Sequence, residues 1–401
     1  MAALLFISAA GTAALDIRDA GVLPGNPPDI NRERLQAAID RLSDFGGSLY
    51  VGPSKTPYHI ESGIILRKNV SLRGASSVSP RGTSGPSLKS PVGSVFKITG
   101  REKPFITVES ATAIEGIQFW YSEQATVNPD SIIQYPPTIT MSKDKPVQGV
   151  FLNELTFYGE YTAMDFAAPE GRYCELITIK HCAGYPLGGT FIKISRCYDI
   201  PRILHCHVNP AVSRLFAGDY SKEIIDKVAC RDTYAYIIEK TDNARLIDIF
   251  AFGVFGGIYL GPSTYGQLSD FNFDCVTVGI RKKGDGKFNR TWNISQGAII
   301  ANRGDCREEI HPVLVSGSGH LSLANVEAFS GHNQALTTIG SSHDFLKILP
   351  GSTCTVFLSG CRMQGYVSEN PFTVPEGTKA RIRASGCLSK DGSFFDYPKH
   401  P

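Results

Sequence analysis

Phe151-Leu-Asn-Glu-Leu-Thr-Phe157 is the first of several short apolar runs that recur between Gly149 and Asn302. The later runs are Glu175-Leu-Ile-Thr-Ile179, Asp199-Ile-Pro-Arg-Ile203, Asp248-Ile-Phe-Ala-Phe252 and Asp270-Phe-Asn-Phe273. Apolar and polar residues alternate within each run, which is typical of a strand with one buried face. Gly, Asn, Asp or Pro separates the runs. The pattern therefore predicts short strands joined by turns.

The spacing of the runs predicts how the strands are arranged. Their acidic residues stand at positions 154, 175, 199, 248 and 270, in steps of 21, 24, 49 and 22. We interpret the step of 49 as two coils of about 24 residues each. A repeat of this length without long helices is typical of a solenoid. We predict an all-β, right-handed, single-stranded parallel β-helix. The alternative is a β-sandwich, whose strands recur about every 8–12 residues.

Composition excludes several classes of function. The net charge is +2, only 19% of residues are charged, and Lys and Arg form no basic run, so we expect no nucleic-acid partner. No apolar run reaches the roughly 20 residues that span a bilayer, so we expect no membrane insertion. The ten cysteines contain no C-x-x-C pair, which argues against zinc. We expect the cysteines to be buried between successive coils.

The N-terminal part differs from the repeats. We assign residues 1–47 to an entry strand and a helix, and residues 48–401 to the β-helix. Met1–Ala14 is either a signal peptide or a first strand. Asp29 or Asn31 is expected to be the N-cap of a helix, which we expect to cover the open end of the first coil. Loop excursions are predicted near 75–93, 122–137 and 211–232.

The order of parts before residue 75 resembles the head of the pectate-lyase-superfamily β-helix proteins. The matching parts are Asp16-Ile-Arg-Asp-Ala-Gly21, Leu35-Gln-Ala-Ala-Ile-Asp40, Gly46-Gly47, Val51-Gly-Pro53, Tyr58-His-Ile60 and Asn69-Val-Ser-Leu-Arg-Gly74. That group includes family-28-related and family-55-like glycoside hydrolases and phage tailspikes. One departure is that Pro24-Gly-Asn-Pro-Pro-Asp29 replaces the usual Gly-Asp-Gly and paired aspartates. The resemblance implies a polysaccharide or oligosaccharide partner.

Asp248 and Asp270 are the first candidates for catalysis. They lie 22 residues apart, so on a β-helix they would stack one coil, or about 4.8 Å, apart. Two carboxylates about 5 Å apart suit a retaining glycosidase, and about 6.5–9.5 Å suits an inverting one. The alternative is that acids at this place satisfy turn amides. That alternative also covers Glu115, Glu154, Glu175, Asp199 and Asn325.

Asp199, Arg202, His205 and His207 form a second candidate cluster. His205 and His207 are two residues apart, so they would point the same way from a strand. Acid–base catalysis or substrate hydrogen bonding is one interpretation, and satisfied structural histidines are the other. No third ligand of suitable spacing is evident, so we expect no metal and no cofactor. Calcium is not indicated either.

Four aromatic residues are candidates for stacking on sugar rings: Trp120, Tyr121, Tyr135 and Trp292. Packing beneath the neighbouring loops is the alternative. His207 is added to this set as a substrate-binding candidate.

These observations lead to two hypotheses. The first is an extracellular polysaccharide-degrading enzyme, a glycoside hydrolase rather than a lyase. Asp248 and Asp270 would supply the acid and the nucleophile or base, with Asp199, Arg202 and His205 as second candidates. The polygalacturonase motifs Asn-Thr-Asp, Asp-Asp, Gly-His-Gly and Arg-Ile-Lys are missing. The second hypothesis is a homotrimeric tailspike on a virion tail that binds bacterial surface polysaccharide.

Overall fold

The computed structural model describes residues 15–75, 90–215, 220–285, 290–302, 309–329 and 340–398. Within these ranges strands dominate, with two α-helices, α1 (Pro28–Ser43) and α2 (Lys222–Ala229). Two short 3-10 helices cover Pro129–Ser131 and Pro210–Leu215. No helix in the described ranges has both the length and the apolar character needed to cross a bilayer.

The strands are short and follow one another throughout the described chain. The first sixteen are β1 (Leu15–Asp16), β2 (Gly47–Val51), β3 (Tyr58–Glu61), β4 (Ile64–Leu66), β5 (Val70–Gly74), β6 (Val95–Thr99), β7 (Ile106–Val108), β8 (Thr112–Glu115), β9 (Gln118–Trp120), β10 (Ile139–Met141), β11 (Val147–Asn153), β12 (Thr156–Tyr158), β13 (Thr162–Ala167), β14 (Cys174–Lys180), β15 (Ala183–Gly184) and β16 (Thr190–Ser195). The others are β17 (Cys197–Tyr198), β18 (Arg202–Val208), β19 (Tyr234–Glu239), β20 (Ala244–Phe252), β21 (Gly256–Leu260), β22 (Gly266–Val276), β23 (Val278–Lys283), β24 (Thr291–Ala301), β25 (His311–Ser316), β26 (His320–Ala328), β27 (Leu346–Ile348), β28 (Thr355–Ser359), β29 (Arg362–Met363), β30 (Phe372–Thr373), β31 (Arg381–Leu388) and β32 (Phe394–Tyr397).

The strands form two sheets that run along the stack of coils. Eleven strands make one sheet: β4, β7, β10, β13, β16, β19, β21, β23, β25, β27 and β30. The other 21 make a second sheet. Among the named strands described, every pairing is parallel except the one between β31 and β32, where the chain folds back on its last coil. The predicted parallel β-helix is confirmed.

Strand register shows how the coils stack. Ile203 pairs with Ile179 on one side and Leu246 on the other, and Leu246 pairs with Leu268. All four side chains are buried, so each coil covers the next. β18 pairs directly with β20, and paired residues such as Arg202 and Arg245 are 43 positions apart. The step of 49 residues is therefore one coil plus the six residues between Asp199 and His205, and its interpretation as two coils was wrong. The extra length is an insertion, residues 209–233, that contains α2.

The interior is one continuous apolar core that extends from Ile17 to Cys387. Aromatic rings from successive coils stack within it, for example Phe119 and Phe157 with centroids 5.1 Å apart. Cys174 and Cys197 occupy partner positions on neighbouring strands. Eight of the described cysteines are buried, and all those described are free thiols, so the expectation of buried cysteines is confirmed. Cys306 lies outside the described residues.

Helix α1 packs on the strands of the first coil through Leu35, Ala38 and Ile39, which are buried. It begins at Pro28 with Pro27 as its N-cap, so the prediction that Asp29 or Asn31 caps the helix was wrong. Asn31 is instead a buried residue of the helix, and its Nδ2 donates to the His59 carbonyl at 2.9 Å. Met1–Ala14 and most of the predicted 75–93 excursion lie outside the described residues.

Candidate functional site

A column of residues in the left-handed backbone conformation runs across ten successive coils at one bend of the large sheet. We call it the polar ladder, and its φ values lie between 51° and 64°. Its members, aligned by the strand pairs that flank them, are Gly116, Glu154, His181, His205, Asp248, Asp270, Gln296, Asn325, Gly360 and Gly386. Gly, Asn, Asp and His tolerate this conformation better than other residues. The backbone at the bend therefore explains most of the residue types found there.

Asp248 and Asp270 occupy neighbouring positions of the polar ladder. They lie between the paired residues Ile247–Ser269 and Phe250–Asn272. Neighbouring strands are about 4.8 Å apart, and both aspartates are exposed. The register thus places them one coil apart on the same face, as the spacing predicted. Glu175 and Asp199, which the turn-amide interpretation grouped with them, do not lie on the ladder, because Glu175 pairs with Tyr198.

His205 and Asp248 form a hydrogen-bonded pair on this ladder, with Nδ1 of the imidazole 2.9 Å from Oδ2 of the carboxylate. The His205 ring stacks on His181 with centroids 4.9 Å apart and an interplanar angle of 9°. Nδ1 of His181 is 3.1 Å from Oδ1 of Asn153. Burial, and secondarily the neighbouring His205, hold the pKa of His181 below its ordinary value. Asp248 thus orients the His205 ring, with Nε2 facing away from the carboxylate.

A groove of about 580 Å³ lies beside the ladder, on the outer face of the strands that lead into it. We call it the arginine groove, and its lining residues are Arg202, Leu204, Arg245, Leu246, Ile247, Gln267, Leu268, Ser269, Asn293, Ser295 and Gln296. Arg202 and Arg245 are directly opposite each other on adjacent strands. Arg202 donates to the Ile200 carbonyl at 2.9 Å, and Arg245 donates to the Gln267 side chain. The structure thus places Arg202 three residues before the ladder position His205, on the strand next to that of Asp248.

The predicted cluster of Asp199, Arg202, His205 and His207 is divided by the fold. Asp199 lies in the left-handed turn before β18, on the other side of Arg202 from His205. His207 lies beyond the bend, where its ring stacks on Phe250 at 4.3 Å. The left-handed conformation of His205 interrupts the alternation of β18, so His205 and His207 lie on different sides of the bend.

Three of the four aromatic candidates belong to the core. Trp292 is fully buried, and Tyr121 and Tyr135 are each 3% exposed, with ring centroids 4.5 Å apart. The Tyr121 hydroxyl is 2.9 Å from Oγ1 of Thr138. The prediction that these three rings stack on sugars was wrong, because no ring face reaches solvent. Trp120 is partly buried against Tyr158, Ala183 and Val212.

Several residues of this region were not singled out by the sequence: His181, Asn153, Arg245, Gln267 and Phe250. Arg245 follows Arg202 by 43 residues, a spacing that the insertion in that coil lengthens beyond any regular period. Gln267 follows Arg245 by 22 residues, which is the spacing already seen between Asp248 and Asp270. That spacing was the available signal for Gln267. In the part of the chain that the structure covers, no three His, Cys, Asp or Glu side chains form a metal-binding group.

Comparisons with known proteins identify the fold. No protein-family model and no curated protein matches the sequence. Among solved structures, a hyperthermoactive exopolygalacturonase from Thermotoga maritima aligns with a TM-score of 0.56 and 10% identity, over 96% of this chain and 93% of that one. The pre-mature gene product 12 of bacteriophage phi29 aligns with a TM-score of 0.58 and 12% identity, over 93% of this chain and 49% of that one.

A third structure, the A-module of the mannuronan C-5 epimerase AlgE6 from Azotobacter vinelandii, aligns with a TM-score of 0.51 and 10% identity. That alignment covers 94% of this chain and 99% of the module. At such identities the similarity concerns the fold alone. Together with the register of the coils, it establishes that this chain has a parallel β-helix fold.

Proposed function

We propose that the protein binds a polysaccharide in the arginine groove and hydrolyses a glycosidic bond at Asp248, Asp270 and His205 of the polar ladder. The hydrogen bond between His205 and Asp248, next to the exposed Asp270, is the observation that carries this proposal. It supplies a proton-exchanging ring, a group that orients the ring, and a second carboxylate one coil away. Those are the parts that acid–base glycoside hydrolysis requires.

Each group has a defined role in this scheme. Asp270 takes a proton from a water molecule that attacks the anomeric carbon, while His205 gives its Nε2 proton to the departing sugar oxygen. After the products leave, His205 regains a proton from solvent and Asp270 returns its proton to solvent. Asp248 holds the His205 ring in place throughout. His205 and Asp270 are two ladder positions, or roughly 10 Å, apart, which is nearer the separation of an inverting enzyme than that of a retaining one.

The setting of this activity is also a proposal. We propose that the enzyme acts outside the cell on a polymer, needs no cofactor, and coils in the right-handed sense. Helix α1 packs on the first coil through buried apolar residues, and we propose that it caps that end of the solenoid. Residues 1–47 and 48–401 would then be the cap and the solenoid.

A panel of polysaccharides, assayed for both binding and reducing-end release, tests this function. Asp248→Asn, Asp270→Asn and His205→Asn retain side chains that tolerate the left-handed backbone. Each should lower kcat by at least about 100-fold on the substrate found. Glu154→Gln removes a carboxylate from the same ladder three coils away and should leave kcat unchanged. Wild-type turnover in both aspartate variants would refute the assignment, and ultraviolet absorbance from an unsaturated uronate would indicate a lyase instead.

The second candidate is a tailspike-like protein that binds surface polysaccharide as a homotrimer. Exposed apolar side chains on the last coils favour it: Phe357, Val367 and Phe394 are 44%, 62% and 83% exposed. Such residues suit a contact between copies of the chain. Sedimentation equilibrium distinguishes the candidates, since a trimer that binds glycan without turnover supports this one and a monomer that turns over supports the first.

A further inference from the structure

Arg202 and Arg245 create an unusual concentration of positive charge in the arginine groove. They are paired positions on adjacent strands, so their side chains leave the sheet side by side. Like charges placed directly opposite each other destabilise a sheet. Their hydrogen bonds go to the neutral groups Ile200 carbonyl and Gln267 amide oxygen. Neither guanidinium has a carboxylate partner among the described residues.

Most arginines of the first coils are neutralised, although Arg34 donates to the Gly21 carbonyl. Each of five arginines there has a carboxylate partner within 3.4 Å: Arg18 with Asp16, Arg32 with Glu61, Arg67 with Asp40, Arg73 with Glu115 and Arg101 with Glu123. The protein as a whole is almost neutral, at +2. The unneutralised arginines of the groove therefore reflect a local arrangement and not an excess of positive charge over the whole chain.

A second pocket extends this positive region. It encloses about 260 Å³ on the same coils, just before the groove, and contains Lys240 and Arg290. The Arg290 guanidinium lies 4.7 Å from the centre of the Tyr265 ring. Asp242 is the acid in this pocket, and it accepts a hydrogen bond from the Tyr265 hydroxyl. Neither Lys240 nor Arg290 has an ion pair with any residue in the described ranges.

The acids and the arginines occupy different places along the strands. Asp248 follows Arg245 by three residues, which corresponds to roughly 10 Å of strand. An anionic group on a bound polymer would be repelled at Asp248 and Asp270 and attracted at Arg202 and Arg245. Guanidinium groups bind carboxylate and sulfate oxygens in a bidentate manner. This separation would place an uncharged glycosidic bond at the acids when a charged substituent lies at the arginines.

We infer that the groove selects a glycan bearing oxyanion substituents, carboxylate or sulfate, which contact Arg202 and Arg245. This inference rests on the proposed function and adds the class of substrate. Lys240 and Arg290 would contact a further anionic substituent of the same chain.

Binding of three glycans to the full protein, at low and high salt, tests this selectivity. Polygalacturonate supplies carboxylates, chondroitin sulfate supplies sulfates as well, and dextran is neutral. Wild-type protein should bind a charged glycan at least about tenfold more tightly than dextran, and high salt should weaken that binding. Arg202→Gln/Arg245→Gln should lose at least about tenfold in affinity for the charged glycan. Arg383→Gln, further along the same column of the sheet, should leave the affinity unchanged.

The outcomes separate this inference from the function on which it rests. Asp248→Asn should still bind the charged glycan while losing turnover. Binding or cleavage of dextran equal to that of both charged glycans would overturn the inference and leave the proposed hydrolase intact. Unchanged affinity in both the double arginine variant and the single variant Arg245→Gln would likewise overturn the inference and leave the proposed hydrolase intact. Absence of binding to every glycan in a broad panel would overturn both.

Discussion

Replacing Glu160 by Gln should stabilise the protein increasingly as the pH rises. Glu160 is fully buried, and the backbone amides of Glu160 and Tyr185 offset only part of the effect of that burial on its carboxyl group. Its carboxyl group lies against Gly184, which also contacts Phe157 and Phe191. Burial raises the pKa of Glu160 from 4.5 to about 8. The buried acid is therefore protonated in the folded protein at pH values where the unfolded chain has already ionised.

The size of the effect follows from this difference in pKa. Below about pH 4.5, Glu160 is protonated in both the folded and the unfolded protein, so its ionisation does not change the free energy of unfolding. As the pH rises from 4.5 to about 8, stability is lost at about 1.4 kcal/mol per pH unit, or about 5 kcal/mol in all. Above that range the loss is constant. Glu160→Gln cannot ionise, so its free energy of unfolding should lack this loss.

Urea-induced unfolding of wild type and Glu160→Gln across that pH range measures the difference. The gap between the two unfolding free energies should widen with pH by several kcal/mol. Glu376→Gln, at an exposed glutamate, should show a gap that stays near zero. If the Glu160→Gln gap does not change with pH, the pKa of Glu160 is not raised in the folded protein.

Two further predictions concern the ladder and the core. Gly386→Ala should cost about 1–2 kcal/mol in unfolding free energy, because φ is +60° and the added Cβ would meet no atom within 4 Å. Chemical denaturation checks it, and an unchanged midpoint would show that the ladder backbone is relaxed there. Trp292→Ala should cost about 3–5 kcal/mol by leaving a cavity, yet the turnover rate per folded molecule should be unchanged. A variant of normal stability that lacks turnover would instead indicate that Trp292 belongs to the binding surface.

The alternation of apolar residues was sufficient to predict the inward positions, because burial against the next coil fixes every second residue of a strand. Ile179, Ile203 and Leu268 all lie where that pattern places them. The phase of the coils was harder to predict. Glu154, Asp248 and Asp270 lie on the polar ladder, whereas Glu175 does not, because coil lengths vary and acids also occur at other turns.

The candidate site was predictable only in part for the same reason. Asp248 and Asp270 are separated by a coil without an insertion, so their spacing revealed that they are neighbours. His205 and Asp248 are separated by 43 residues that include α2, and no regular period joins them. Trp292 is buried because its side chain points inward. The residue type alone, large and rare, does not predict that direction.

The proposed site depends on the register of the coils at Asp248 and Asp270, and a pair of introduced cysteines measures that register. Ile247 and Ser269 are partners on adjacent strands, so their Cα atoms should lie about 5 Å apart, within disulfide range. Ile247→Cys/Ser269→Cys should form that disulfide on mild oxidation, as identified by peptide mass spectrometry. Ile247→Cys/Ser295→Cys spans two coils, about 10 Å, and should remain reduced. A disulfide in the second pair and none in the first would contradict the stacking that places Asp248 beside Asp270.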